Sequence, residues 1–144
     1  MLIGEYSHSM DTKGRVFIPA KYREELGHKI YVTSGPDHCL FVFSEKGWED
    51  FAHKLQEMSV TDDSAIQKLL RIQLANTAEC EPDKQGRILL PNKLREYASL
   101  DKEVVAIGAV SRVELWSREN WDKYNNFDSD EYNEALKALS KLGI

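Results

Sequence analysis

Residues 11–24, DTKGRVFIPAKYRE, return at 83–96 as DKQGRILLPNKLRE, 72 positions later. Seven positions are identical: Asp11/Asp83, Gly14/Gly86, Arg15/Arg87, Pro19/Pro91, Lys21/Lys93, Arg23/Arg95 and Glu24/Glu96. Three more exchange one apolar residue for another: Val16/Ile88, Phe17/Leu89 and Ile18/Leu90. The echo continues where LFVFSEKGWEDF (40–51) resembles VELWSRENWDKY (113–124), pairing Ser44 with Ser117 and Trp48 with Trp121 at an offset of 73. The period is longer than that of ordinary solenoid repeats and occurs only twice, so the pattern specifies a duplicated module rather than an array.

Each copy reads the same way. Asp-x-x-Gly is a tight-turn signature, with Asp able to hydrogen-bond the backbone and Gly suited to the last position. Arg15–Ile18 is a short β-rich run. Pro19 ends any ladder and suits the first turn of a short helix over Lys21–Leu26, which Gly27 stops. Two strands follow around G-P-D-H (29–34 and 40–43). Ser44 then caps a helix of about 14 residues, with Trp48, Phe51, Ala52, Leu55 and Met58 as its apolar stripe. A second helix starts near Asp62–Ser64 and runs to about Leu74, with Ile66, Leu69 and Leu70 expected inward. After a strand over 75–82 the second copy gives strands at 87–90, 103–109 and 112–116, a short helix at 92–98, and a Ser117-capped helix over 118–126. Glu131–Leu142 closes the chain as an amphipathic helix, with Tyr132, Ala135, Leu136 and Leu139 apolar, fit to cover the core or to dock on a neighbour.

Composition sets bounds. With 144 residues, 42% hydrophobic and 30% charged, the chain makes one compact unit or two small interlocked ones. No stretch approaches a transmembrane span, and the N-terminus lacks the layout of a signal peptide, so the expected compartment is the cytoplasm. Cys39 and Cys80 form no C-x-x-C and read as buried free thiols rather than a disulfide. His8, His28, His38 and His53 have no metal-ligand spacing, and no metal or cofactor is expected.

The net charge of −5 opposes a nucleic-acid partner at first sight, but its distribution does not. Residues 11–29 carry five Lys/Arg against three acids, and 83–96 carry four against two. The acids collect elsewhere, six against two bases over 45–63 and six against three over 119–142. Since screening confines each field to about 8–10 Å, a local basic patch binds phosphate on an acidic protein.

Arg15 and Arg87 leave the turn at the edge of a strand pair, on an exposed rim. Arginine offers five fork-like donors suited to phosphate or to guanine O6 and N7; the competing reading is an Asp–Arg pair that staples the hairpin, and both can hold for different atoms. Lys21, Arg23, Lys93 and Arg95 fall on the short helices and Lys13 and Lys84 in the turns, as phosphate contacts or solvated surface charges. Trp48, Trp116 and Trp121 sit at core spacing, with a base-stacking platform as the alternative. Glu24-Glu25 and Asp62-Asp63 are sequence neighbours about 100° apart on a helix and form no acid–base dyad. No G-x-S-x-G, Walker loop or H-E-x-x-H is present, so no enzyme and no catalytic residue is expected. The rivals to a nucleic-acid binder are a protein-assembly module whose rim binds protein, favoured by the acidic total, and an enzyme built on Asp11, Asp83 and His8.

D-x-x-G-R-[VI]-x-[IL]-P-x-K-x-R-E resembles the swapped-hairpin module of the AbrB/SpoVT family of bacterial DNA-binding proteins. Two copies, Trp-bearing helices after each and RIQLANTAECEPD between them resemble the branch of that family that carries the module twice. The likeness covers about residues 1–125. It implies an α+β fold, in which two pseudo-symmetric AbrB-like modules interlock their hairpins within one chain into a small β-barrel flanked by helices. The modules would span 5–47 (with helices over 45–74 following) and 76–119, and a helical tail 120–144. It further implies a ring-shaped homo-oligomer, nucleoid-associated, that regulates transcription of the division and cell-wall gene cluster by binding short G-rich direct repeats of double-stranded DNA in its own operon promoter. Arg15 and Arg87 match the family's DNA-binding arginine, and Lys21, Arg23, Lys93 and Arg95 match basic positions nearby.

Overall fold

In the computed structural model, which describes every residue except 59 and 61, the two Asp-x-x-Gly segments close as tight turns, with Gly14 N–H donating to Asp11 O (3.1 Å) and Gly86 N–H to Asp83 O (2.9 Å). Each turn joins a long or short strand to a three-residue one. In the first half these are β1 (Leu2–Ser9) and β2 (Arg15–Phe17), and in the second β5 (Ala78–Cys80) and β6 (Arg87–Leu89). Pro19 and Pro91 stand at the N-cap of α1 (Ala20–Leu26) and α4 (Asn92–Tyr97), one residue ahead of the first helical position; their carbonyls accept the first helical N–H groups. Gly27 ends α1 with φ +78°. Strands β3 (Ile30–Ser34) and β4 (Leu40–Ser44), linked through a tight turn at Pro36–His38 in which Asp37 and His38 take positive φ, have as counterparts β7 (Glu103–Val110) and β8 (Val113–Ser117).

The strands pair across the repeat. The larger sheet has the order β1-β7-β8-β4-β3-β5 and all its ladders are antiparallel, so the first strand of each half lies on a strand of the other half. A second, two-stranded sheet is made of β2 and β6 alone. In it Val16 and Ile88, which hold the same place in the two copies, stand directly opposite each other. The Ile18 N–H reaches Gly86 O (2.9 Å) and the Leu90 N–H reaches Gly14 O (3.0 Å), extending the exchange beyond the ladder.

Among the described residues no ladder joins the sheet edges β1 and β5, so the sheet stays open where the family resemblance implies a closed barrel. The reason lies in the chain: β5 is only three residues long, and Pro82 cannot donate to a ladder. The β2–β6 ribbon sits over this fold instead, with Val16 and Ile88 buried beneath it.

One core serves both halves. Val16, Ile18, Tyr22, Ile30 and Val42 cluster with Ile88, Leu90, Leu94, Val104 and Leu115. Neither copy buries these side chains alone, because the cluster takes its members from both. The opposite sheet face holds Phe41, Phe43, Val105 and Trp116. Helix α2 (Glu45–Met58), capped by Ser44 Oγ, covers it with Trp48 and Phe51, and α5 (Arg118–Tyr124), capped by Ser117 Oγ, covers it with Trp121. The tryptophans are thus packing residues: Tyr31 stacks on Trp48 (5.6 Å) and Trp116 meets Trp121 edge-on (5.4 Å).

The helical span expected over 45–74 is α2 and α3 (Ser64–Ala75), and residues 59 and 61 between them lie outside the described residues. Asp63 caps α3 by accepting from Ala65 and Ile66 N–H. Of the three residues expected inward on α3, Leu70 is buried and Ile66 half-buried, but Leu69 is 60% exposed, because α3 meets the sheet along a narrow strip near Ser34. Helix α6 (Ser129–Lys141) has no buried residue, so it does not cover the core. Cys39 and Cys80 are free and buried, and burial pushes their thiols up to about 12 and about 11.

Candidate nucleic-acid interface

The β2–β6 ribbon alternates by strand geometry. Val16 and Ile88 point inward, so Arg15, Phe17, Arg87 and Leu89 share the outward face. Across the ladder, Arg15 faces Leu89 and Phe17 faces Arg87, a two-by-two pattern of guanidinium and apolar groups.

Each arginine is held by its own turn. Asp11 Oδ1 accepts the N–H groups of Lys13 (3.0 Å) and Arg15 (2.9 Å), and its Oδ2 takes Arg15 Nε at 2.6 Å. Asp83 repeats the arrangement with Gln85 N–H, Arg87 N–H and Arg87 Nε at 2.9, 2.9 and 2.8 Å. The backbone N–H of the arginine, with the guanidinium beside it, holds each carboxyl below the usual aspartate range. Arg87 Nη1 also stands 3.7 Å from Asp11 Oδ2, so both guanidinium groups flank one carboxylate. The staple therefore holds through Nε, while the side chains remain 33% (Arg15) and 21% (Arg87) exposed. Terminal guanidinium nitrogens carrying two N–H groups each are the ones that reach guanine or phosphate bidentately.

The structure separates the remaining basic residues. Lys13 and Lys84 are exposed on the two turns, and Lys21 and Lys93 are exposed in the first turn of α1 and α4; none makes an ion pair among the described residues. Arg23 and Arg95 do something the sequence did not predict. Arg95, from the second half, lies over the first half's turn at Gly14, and Arg23 lies over the second half's turn at Gly86. Both glycines have positive φ (+86° and +81°), and the guanidinium occupies the space a side chain would need. Arg95 Nε is buried there without a hydrogen-bond partner. Arg23 also lines an open cleft of about 380 Å³ with Glu24, His28, Pro82 and Asp83.

Charge follows this division. Asp11 and Asp83 compensate Arg15 and Arg87, which leaves the surplus positive charge near the ribbon with Lys13, Lys84, Arg23 and Arg95. The His8 ring lies 5.8 Å from the Phe17 ring, and the carboxylates of Asp11 and Asp83 are engaged by their own turns. The repeat marks Phe17 and Leu89 only as apolar counterparts. The alternation of the run Arg15–Ile18 is the signal that puts them outside with the arginines.

A family model described as "MraZ protein, putative antitoxin-like" matches residues 1–71 and again 73–140. The chain is 56% identical over 139 residues to the transcriptional regulator MraZ of Carboxydothermus hydrogenoformans, covering 96% of both chains. It is 51% and 48% identical over 144 residues to the proteins of that name from Moorella thermoacetica and Caldicellulosiruptor saccharolyticus, over the full length of each.

Proposed function

The chain belongs to the MraZ family, and on that premise we propose that it is a transcriptional regulator that binds duplex DNA through the outward face of the β2–β6 ribbon. It recognises short G-rich direct repeats in the promoter of its own operon, within the division and cell-wall gene cluster, as a ring-shaped homo-oligomer of the cytoplasm and nucleoid. The observation that carries this reading is the placement of Arg15 and Arg87 on one exposed ribbon face, each fixed through Nε by an aspartate of its own turn.

A two-stranded ribbon fits the major groove, which is about 12 Å wide, and arginine to guanine O6/N7 is the commonest specific contact there. Holding Nε pre-orders the side chain, so less rotamer freedom is lost on binding. Lys13, Lys84, Lys21 and Lys93, with Arg23 and Arg95 behind the turns, supply phosphate contacts that set register without reading sequence. The exchange of strands between the halves supports the swapped-hairpin architecture, with modules at 5–47 and 76–119 and a helical tail at 120–144.

Self-association belongs to the same proposal. Helix α6 presents Tyr132, Leu136 and Leu139 to solvent, with Asp130 and Glu131 in its first turn and Glu134 paired with Lys137 at 3.5 Å. Helix α3 presents Leu69 and Ile72 beside Lys68 and Arg71, and Leu69 lines a cleft of about 330 Å³ with Phe41, Phe51 and Tyr97. The two faces match in apolar surface, the acidic first turn of α6 suits the bases of α3, and the occupant of α3 is α6 of a second copy. A closed assembly multiplies two weak rims into many, and each further contact becomes intramolecular.

Footprinting of the DNA upstream of the chain's own gene tests the reading, with wild type and an Arg15→Ala/Arg87→Ala variant. Protection at regularly spaced boxes, lost in the variant, is expected. Equal protection by both proteins would sink the site, and no protection at any salt would favour a protein-assembly role.

A further inference from the structure

We propose that Leu89 and Phe17 read the 5-methyl groups of thymines in the major groove, beside the bases contacted by the two arginines. The inference rests on the nucleic-acid reading above and goes beyond it, by giving the ribbon a second kind of base contact.

Both side chains are large, apolar and turned to solvent, Leu89 at 59% and Phe17 at 38% exposure. Single exposed apolar residues need no explanation. These two are not isolated, because each is the cross-strand partner of an arginine on the face that would meet DNA. Their inward neighbours Val16 and Ile88 already fill the core side of the ribbon, so packing does not require an apolar residue at 17 or 89. Phe17 is partly engaged, with the Arg87 guanidinium carbon 6.0 Å from its ring centroid and the His8 ring beside it. Leu89 is the more exposed of the two, which makes it the freer.

The spacing suits the task. Same-face residues on one strand are about 6.6 Å apart. Two base steps along one DNA strand are about 6.8 Å. Cross-strand neighbours stand about 5 Å apart. With the ribbon lying along the groove and a guanidinium on guanine O6/N7, the adjacent apolar side chain falls within one or two steps, where only thymine offers an apolar group. The ribbon then reads guanine by hydrogen bonds and thymine by its methyl, and rejects cytosine at the second position by presenting nothing to its amino group.

The test compares two versions of the duplex protected upstream of the gene, one with thymine and one with deoxyuridine at chosen positions. Uracil keeps the pairing with adenine and lacks only the methyl group. Wild type should bind the uracil duplex more weakly, roughly fourfold for each methyl group that a side chain covers. Leu89→Ala should weaken binding to the thymine duplex by a similar factor and lose nothing more at the uracil position it reads. Because Leu89 is exposed, L89A keeps its melting temperature, and it carries the test even where Phe17→Ala disturbs Arg87. Equal wild-type affinity for both duplexes overturns the inference and leaves the nucleic-acid reading standing, as does an undiminished uracil penalty in L89A. Failure of wild type to bind the thymine duplex at all overturns both.

Discussion

Arg95 lies across Gly14. A β-carbon on that glycine would stand 2.6 Å from the guanidinium carbon and 2.7 Å from Nε and Nη1. The two residues come from opposite copies of the repeat, and Arg23 over Gly86 mirrors them. Gly14→Ala therefore meets two penalties: a left-handed backbone that costs about 1–2 kcal/mol for a residue with a side chain, and eviction of Arg95 from its seat. Urea unfolding should show a loss of at least that size for Gly14→Ala, and a similar loss for Gly86→Ala through Arg23. An unchanged midpoint in both variants would mean that the turns do not depend on this interlock.

Arg15 and Arg87 hold their own turns through Nε, and Arg87 also stands 3.7 Å from Asp11 through Nη1 and beside the Phe17 ring, but neither side chain is part of the core, so removing them should cost modest stability while removing the proposed base contact. Arg15→Ala and Arg87→Ala should keep oligomer size and circular dichroism and lose specific DNA binding severely. Arg15→Lys should restore little, since an ammonium lacks the planar fork. The salt dependence should change less than the specificity, because the phosphate contacts are assigned to the lysines. Anisotropy titrations over a range of salt on operator and scrambled duplexes measure both quantities, and full specificity in the double alanine variant would contradict the assignment.

The turn carboxylates set an acid limit. Asp11 and Asp83 have folded-state pKa values below the ordinary aspartate value, chiefly because the Arg15 and Arg87 N–H groups donate to them. A depressed pKa contributes stability that is fully present above the unfolded value, near 3.9, and is lost as pH falls through the folded one. Wild type should therefore lose stability below about pH 4 more steeply than an Asp11→Asn/Asp83→Asn variant. At pH 7 the variant should be the less stable of the two, because its amide NH₂ cannot accept from Arg Nε. Melting temperatures from pH 2.5 to 7 decide it, and parallel curves would remove the carboxylates from the acid response.

The sequence displayed what repeats and what is local. Asp-x-x-Gly announced each turn, Ser44 and Ser117 announced their caps, and the 72-residue echo announced a pseudo-symmetric unit. It also singled out Arg15 and Arg87, because a residue that recurs beside a turn glycine has a place even before the turn has a partner. What it hid depends on one half meeting the other. Arg23 and Arg95 looked like surface charges, since nothing in α1 or α4 says that a foreign glycine lies within reach. Leu69 looked buried because helical periodicity marks an apolar face without saying what covers it. The open sheet follows from the shortness of β5, a property of pairing rather than of propensity. Phe17 and Leu89 were legible through strand alternation, and the similarity of the apolar triplets 16–18 and 88–90 masked it.

Helix α6 offers the sharpest test of self-association. Tyr132, Leu136 and Leu139 recur at helical spacing, yet no residue of the helix is buried, so the stripe contributes nothing to the core of its own subunit. A solvent-facing stripe of this kind is held at a cost unless another surface covers it, and Leu69 and Ile72 of α3 carry the matching apolar patch with basic neighbours. Leu136→Lys/Leu139→Lys places two positive charges opposite Lys68 and Arg71 in the proposed contact without touching the subunit core. Sedimentation velocity should then show a smaller particle, with thermal unfolding of the subunit little changed. Affinity for multi-box DNA should fall by about a hundredfold or more as avidity disappears, while affinity for a single box stays near wild type. A variant that sediments like wild type would show that α6 faces solvent in the assembly, and the junction between copies would have to be sought on another surface.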